Sequence, residues 1–207
     1  MTTIEIETPH GPARAHLRPA ESPRAALMLG HGAGGGVTAR DLVAAAGAAL
    51  SLNVSVALVE QPYRVAGRRA PAPAHQLDVA WLAVAERLRR TELRGLPLVT
   101  GGRSSGARVA CRTAEATGAV GVVCLAFPLR PPRREGAVPA ASRLAELDAV
   151  AVPVLVVQGD RDPFGMPPAG PLREVVVVQG DHSLRANAGD VTSALLGWLP
   201  ARATMPE

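Results

Sequence analysis

The sequence predicts an α/β protein built on a sheet of about eight mostly parallel strands with helices on both faces. Short β-branched or aliphatic runs alternate along the whole chain with longer Ala- and Leu-rich stretches, the pattern of strands joined by crossover helices. The 207 residues are 47% hydrophobic and 19% charged, enough apolar material for one ordinary domain core. No repeat or linker divides them, so residues 1–207 read as one domain. In sheets of this kind ligands bind beyond the carboxyl ends of the strands, so the loops leaving those ends carry the functional expectations.

Residues 4–7 and 13–17 read as an opening strand pair joined by a turn at Pro9-His10-Gly11-Pro12. Residues 25–29 form a buried strand that runs into His31-Gly32-Ala33-Gly34-Gly35-Gly36, and a helix follows over about 39–52. After the strand at 54–59 comes a Pro- and Arg-rich loop over 60–74, then an amphipathic helix over 75–90. A strand at 96–101 ends in Gly101-Gly102-Arg103-Ser104-Ser105-Gly106, with a helix over about 105–116 behind it. The remaining pattern is a strand at 120–127, a proline-heavy loop over 128–139, a short helix near 141–150, strands at 153–158 and 174–179, and a closing helix at about 188–199.

Composition excludes several chemistries. The chain has no lysine, so it offers no P-loop cation, no Schiff base to pyridoxal phosphate and no lysine base. Its net charge of +4 is small and its arginines are dispersed. With aromatics at 2%, platforms for stacking bases are lacking, and nucleic acid is not expected as a partner. Cys111 and Cys124 sit in apolar stretches and read as reduced packing residues. The acidic opening residues lack the pattern of a signal peptide and no apolar run has membrane length, so a cytoplasmic protein without membrane association is expected.

Gly102-Arg103-Ser104-Ser105-Gly106 is a G-x-S-x-G between a predicted strand and a predicted helix, the setting in which a tight turn projects a serine oxygen above the sheet edge. A serine hydroxyl needs a base to take its proton, and the base needs a third group to fix its tautomer. Asp162 and His182 each follow a predicted strand and complete the chain order Ser, Asp, His. Asp160 and Asp181 are the nearest competitors for the acid; Asp162 is preferred because it lies beyond the turn at Gly159. His10, His16 and His75 lack this context. Acyl transfer builds negative charge on a carbonyl oxygen, which preorganised backbone N–H groups stabilise; here those of Ala33 and Ser105 are the candidates.

Leu29-Gly30-His31-Gly32-Ala33-Gly34-Gly35, Glu60-Gln61-Pro62-Tyr63-Arg64, Gly101 to Gly106, Pro128-Leu129-Arg130-Pro131-Pro132, Gln158 to Gly165 and Gly180-Asp181-His182-Ser183-Leu184 span nearly the whole chain. Together they resemble the small, lidless α/β hydrolases of the dienelactone-hydrolase-like type, and most of all the branch shared with testis-expressed and histone-acetyltransferase-complex subunits. The resemblance implies an α/β-hydrolase fold without a large lid domain, a Ser104, Asp162, His182 triad and an Ala33/Ser105 oxyanion hole. Dienelactone hydrolase uses a cysteine nucleophile where this chain has Ser104, so its lactone specificity does not carry over.

The resulting expectation is a serine hydrolase acting on an ester, thioester or related acyl bond of a small molecule, without metal or organic cofactor. Tyr63, Arg64 and Arg103 are the candidate substrate-binding residues. With Arg68, Arg69 and Arg130 also on rim loops, a carboxylate or phosphate on the substrate is a natural extension. Two other readings compete. Gly30-His31-Gly32-Ala33-Gly34-Gly35 fits the dinucleotide pattern G-x-G-x-x-G with Glu60 ending the next strand, but two strands precede it and Ser104, Asp162 and His182 are left unexplained. A non-catalytic interaction protein on the same fold would be favoured by a degraded triad, and none of its members is lost here.

Overall fold

The computed structural model describes residues 2–131, 141–186 and 188–202. Its strands are β1 (Thr2–Ile6), β2 (Ala13–Arg18), β3 (Ala25–Gly30), β4 (Val54–Glu60), β5 (Leu98–Arg103), β6 (Gly121–Leu125), β7 (Val154–Gly159) and β8 (Arg173–Val178). They form one sheet in the order β1-β2-β4-β3-β5-β6-β7-β8. β2 runs antiparallel to both its neighbours, and every pairing from β4 to β8 is parallel. This mostly parallel eight-stranded sheet is the one that the sequence pattern predicts, in the α/β-hydrolase arrangement that the resemblance implies.

The helices are α1 (Arg40–Ser51), α2 (Pro62–Val65), α3 (Ala74–Arg90), α4 (Ser105–Thr117), α5 (Leu144–Asp148) and α6 (Ala188–Trp198). α1 and α6 bury Leu42, Ala45, Ala49, Leu195 and Trp198 against one face of the sheet, while α3, α4 and α5 cover the other with Trp81, Leu88, Ala110 and Leu147 among their buried residues. The central strands are covered on both sides, which is why β3 and β7 are buried at every position and read as continuous apolar runs. The end strand β8 is covered less completely, and its Val177 is exposed. Burial of each Leu or Val in these layers contributes about 1.5–3 kcal/mol, the term that offsets chain entropy.

Most predicted elements appear within a few residues of their expected bounds. The 60–74 segment differs: it contains the short helix α2, opened by Pro62 at its first position, where a missing N–H costs nothing. β5 runs two residues further than predicted, to Arg103, so Ser104 follows the strand directly. Part of the predicted 128–139 loop lies outside the described residues. Among the described residues no lid domain covers the carboxyl edge of the sheet, and no helix is long and apolar enough to cross a membrane.

Candidate active site

At the end of β5 the chain must reverse into α4 within one residue. Ser104 takes φ 52° and ψ −110°, a sparsely populated backbone conformation for a residue with a Cβ. The turn is held from both sides: the Ser104 N–H donates to Leu125 O at 2.9 Å, and the Arg108 N–H donates to Ser104 O at 3.2 Å. Glycine is required at its flanks. A Cβ on Gly102 would lie 2.6 Å from Gly30 O, and one on Gly106 would lie 2.6 Å from Gly30 C and 2.8 Å from His31 O. The two flanking glycines therefore let the β5–α4 turn close onto the end of β3.

The half-buried Ser104 Oγ lies 2.9 Å from His182 Nε2, and His182 Nδ1 lies 2.8 Å from Asp162 Oδ2. The fully enclosed Asp162 carboxylate can only accept, so Nδ1 carries the proton and Nε2 is left to accept the serine O–H. Asp162, chosen over its neighbours from the sequence, is the acid that meets the histidine. Asp160 Oδ1 instead accepts the Gly180 N–H at 2.7 Å, and Asp181 Oδ1 accepts the Ser183 N–H at 2.8 Å. The Gly180–Asp160 bond, with Arg161 N–H to Gly180 O at 2.9 Å, stitches the acid loop to the histidine loop, and the Ser183–Asp181 bond braces the latter. Leu184, buried completely, anchors the latter in the core.

Three further groups complete the site, beyond the residues expected from the sequence. The fully buried Gln158 directs Nε2 at Asp162 Oδ2 (2.8 Å), Gly165 O (2.9 Å) and Phe127 O (3.1 Å); three surrounding acceptors fix which end of the amide faces them. Phe164 donates its N–H to Asp162 Oδ1 at 2.8 Å and lays its ring against His182, with centroids 4.2 Å apart. His31 is the third. Its Nδ1–H donates to Gly32 O at 2.8 Å while Nε2 accepts the Gln61 N–H at 3.1 Å, and burial lowers its pKa, which keeps it neutral and fixes the loop after β3 to the one after β4. Gln158 left a signal in the sequence, as a polar residue closing an otherwise apolar strand.

The three candidate substrate-binding residues fare differently. Tyr63 is buried and its hydroxyl donates to Ala33 O at 2.8 Å, so it positions the loop after β3 and is not open to a substrate. Burial pushes its pKa up to about 12, so the O–H remains a donor through neutral and mildly alkaline pH. Arg64 turns back along its own segment, with Nη1 donating to Arg68 O at 3.3 Å. Arg103 donates from Nη2 to His182 O at 3.0 Å and forms an ion pair at 2.9 Å between Nε and Oδ2 of the buried Asp41. Burial raises the pKa of Asp41, and the charge of Arg103 beside it acts in the opposite direction. Glu60, the acid of the dinucleotide reading, is occupied by His16 at 2.9 Å.

Replacing Tyr63 by phenylalanine removes one donor and keeps the ring. We expect a loss of about 1 kcal/mol in thermal unfolding and a fall in kcat of a few fold at nearly constant KM, because the freed Ala33 peptide is less firmly oriented. An unchanged kcat would separate this hydrogen bond from catalysis.

A family model described as an alpha/beta hydrolase domain matches residues 23–192. The chain belongs to that family. The matched region contains Ala33, Ser104, Asp162 and His182. No curated protein matches the sequence. Among solved structures, this α/β hydrolase is similar to XC6422 of Xanthomonas campestris, described as a serine hydrolase without a lid, at 20% identity and TM-score 0.75 over 97% of this chain and 94% of that one. It is similar to Est1E of Butyrivibrio proteoclasticus at 15% identity and TM-score 0.78, over 98% and 99% of the two chains. A dienelactone hydrolase of Anabaena variabilis gives 13% identity and TM-score 0.74, over 97% of each. At these identities the likeness establishes the fold, and the chemistry rests on the side chains.

Proposed function

We propose that this α/β hydrolase is a serine hydrolase cleaving an ester, thioester or related acyl bond of a small molecule, with Ser104, His182 and Asp162 as its triad. The observation that carries this reading is the continuous hydrogen-bonded chain from Ser104 Oγ through His182 to Asp162, beginning on a strained turn. Ser104 attacks the acyl carbon while His182 Nε2 takes the hydroxyl proton and Asp162 steadies the imidazolium. The N–H of Ser105, first residue of α4 and without an intrahelical acceptor, and that of Ala33 hold the oxyanion. Collapse breaks the bond to the leaving group, which takes the proton from His182. Water then attacks the acyl-enzyme, giving His182 its proton, and the acid product leaves as Ser104 regains its hydrogen. These steps use no metal or organic cofactor.

A competing reading, drawn only from the resemblance to the branch shared with complex subunits, is a scaffold role for the same fold. A scaffold has no need of the strained backbone at Ser104 or of three aligned side chains, and their presence together supports catalysis. Intact-mass analysis after a fluorophosphonate probe tests the proposal. One adduct on the native chain and none on Ser104→Ala is expected. An adduct surviving in the variant, or none on either chain, overturns it.

A further inference from the structure

A cleft of about 640 Å³ opens beside the candidate active site. Its wall includes Gly34, Arg103 and Ser183, each a chain neighbour of a residue to which the proposed function gives a role: Ala33, Ser104 and His182. The same wall carries Arg40 and Arg185, both exposed. A molecule whose carbonyl sits at Ser104 has its remainder within reach of this cleft.

The charges there are unequal in kind. Arg103 is compensated by the buried Asp41 and by the His182 carbonyl. Among the described residues no ion pair engages Arg40 or Arg185, so both guanidinium groups are available. The amino end of α1 is not the receptor, because Asp41 Oδ1 already accepts the Leu42 N–H at 2.9 Å. Asp181, whose pKa is lowered first by its bonds to Ser183 and to a lesser degree by the charges of Arg161 and Arg185, makes no ion pair with Arg185 and does not line the cleft. Arg64, Arg68, Arg69 and Arg130, the rim cations suggested by the sequence, do not line it either.

We infer that Arg40 and Arg185 form a subsite for an anionic group on the substrate, a carboxylate or a phosphate, in the cleft beside Ser104. This inference rests on the proposed hydrolase reading and narrows its substrate to acyl compounds carrying a negative charge. Two separated guanidinium forks recognise such a group by charge-assisted hydrogen bonds, and their exposure makes the attraction sensitive to salt.

The test compares kcat/KM for matched esters: p-nitrophenyl butyrate, the p-nitrophenyl hemiester of succinate, 4-acetoxybenzoate against phenyl acetate, and an acetyl ester with a phosphate on its alcohol. Relative to its neutral counterpart, at least one anionic ester is expected to be favoured about tenfold at low ionic strength, the advantage shrinking at high salt. Which ester gains tells whether the charge belongs to the acyl or the leaving side, and whether carboxylate or phosphate is preferred. In the double variant Arg40→Gln, Arg185→Gln the ratio is expected to fall towards one. Neutral esters hydrolysed with no anionic advantage, or an advantage that persists in the double variant, overturn the subsite while the hydrolase reading stands. If no ester turns over and Ser104 takes no probe, the hydrolase reading fails, and calorimetry with succinate and inorganic phosphate judges the subsite alone: binding lost in the double variant supports it, and equal or absent binding overturns it.

Discussion

Alanine at Ser104, at His182 or at both is expected to lower ester turnover by about 10⁴–10⁶-fold in all three variants, with the double variant no worse than the worse single one. The reason is that the two side chains perform one act. Their 2.9 Å contact transfers a single proton at the moment of attack, and once either end is missing the other has nothing left to contribute. Ser104→Ala should leave folding nearly unaffected, because Ser104 is partly exposed and uncharged, whereas His182→Ala takes one partner from the enclosed Asp162 carboxylate, which keeps only its bonds from Gln158 and Phe164, and a moderate loss of stability is expected there. Kinetics on the four proteins, with thermal unfolding as the control, checks the expectation. Losses that add on the logarithmic scale would mean that Ser104 and His182 act independently, and the proposed mechanism would fail.

Leucine at Arg103 should produce the largest stability change. Asp41 is 1% exposed, and Arg103 is the cation beside it. Removing one partner of a buried ion pair leaves an uncompensated charge and costs about 3–5 kcal/mol, a large share of the ~5–15 kcal/mol that holds a domain together. The loss should depend on pH in a definite direction. Burial already raises the pKa of Asp41 above the ordinary carboxylate value, and without Arg103 only the backbone hydrogen bonds from Leu42 and from Asp41 itself oppose that rise. Stability of the variant is therefore retained while Asp41 is protonated, below the unfolded carboxylate range, and is lost as pH climbs through the raised folded-state value. Denaturant melts from pH 4 to pH 8 should show the variant nearest the native protein at the acid end. Adding Asp41→Asn should recover part of the neutral-pH loss. A deficit of equal size at every pH would assign the effect to packing. Because Arg103 also donates to the His182 carbonyl, turnover should fall beyond what instability explains, and Arg103→Lys, which keeps the charge without the fork, should restore stability better than activity.

The amino-acid sequence by itself determined the α/β layering and marked the positions proposed to carry the chemistry. Continuous apolar runs such as β7 have no polar side to turn to water, so they can only be covered strands, and Ala-rich segments of helical length between them can only be crossovers. Gly102 and Gly106 around Ser104 are equally legible, since a strand-to-helix reversal in so little chain admits no bulk beside it. Helix α2 was hidden because four residues opened by a proline have the composition of a loop. Only the folded molecule decided the rest. It tied Tyr63 to Ala33, set Gln158 against Asp162, paired Arg103 with Asp41, and gathered Arg40 and Arg185 on one cleft. Local pattern reports which face of an element is apolar, but a polar side chain finds its partner through space. In this chain those partners lie 30 and 79 residues away for the hydrogen bonds of Tyr63 and Arg103, distances along the sequence that no periodicity encodes.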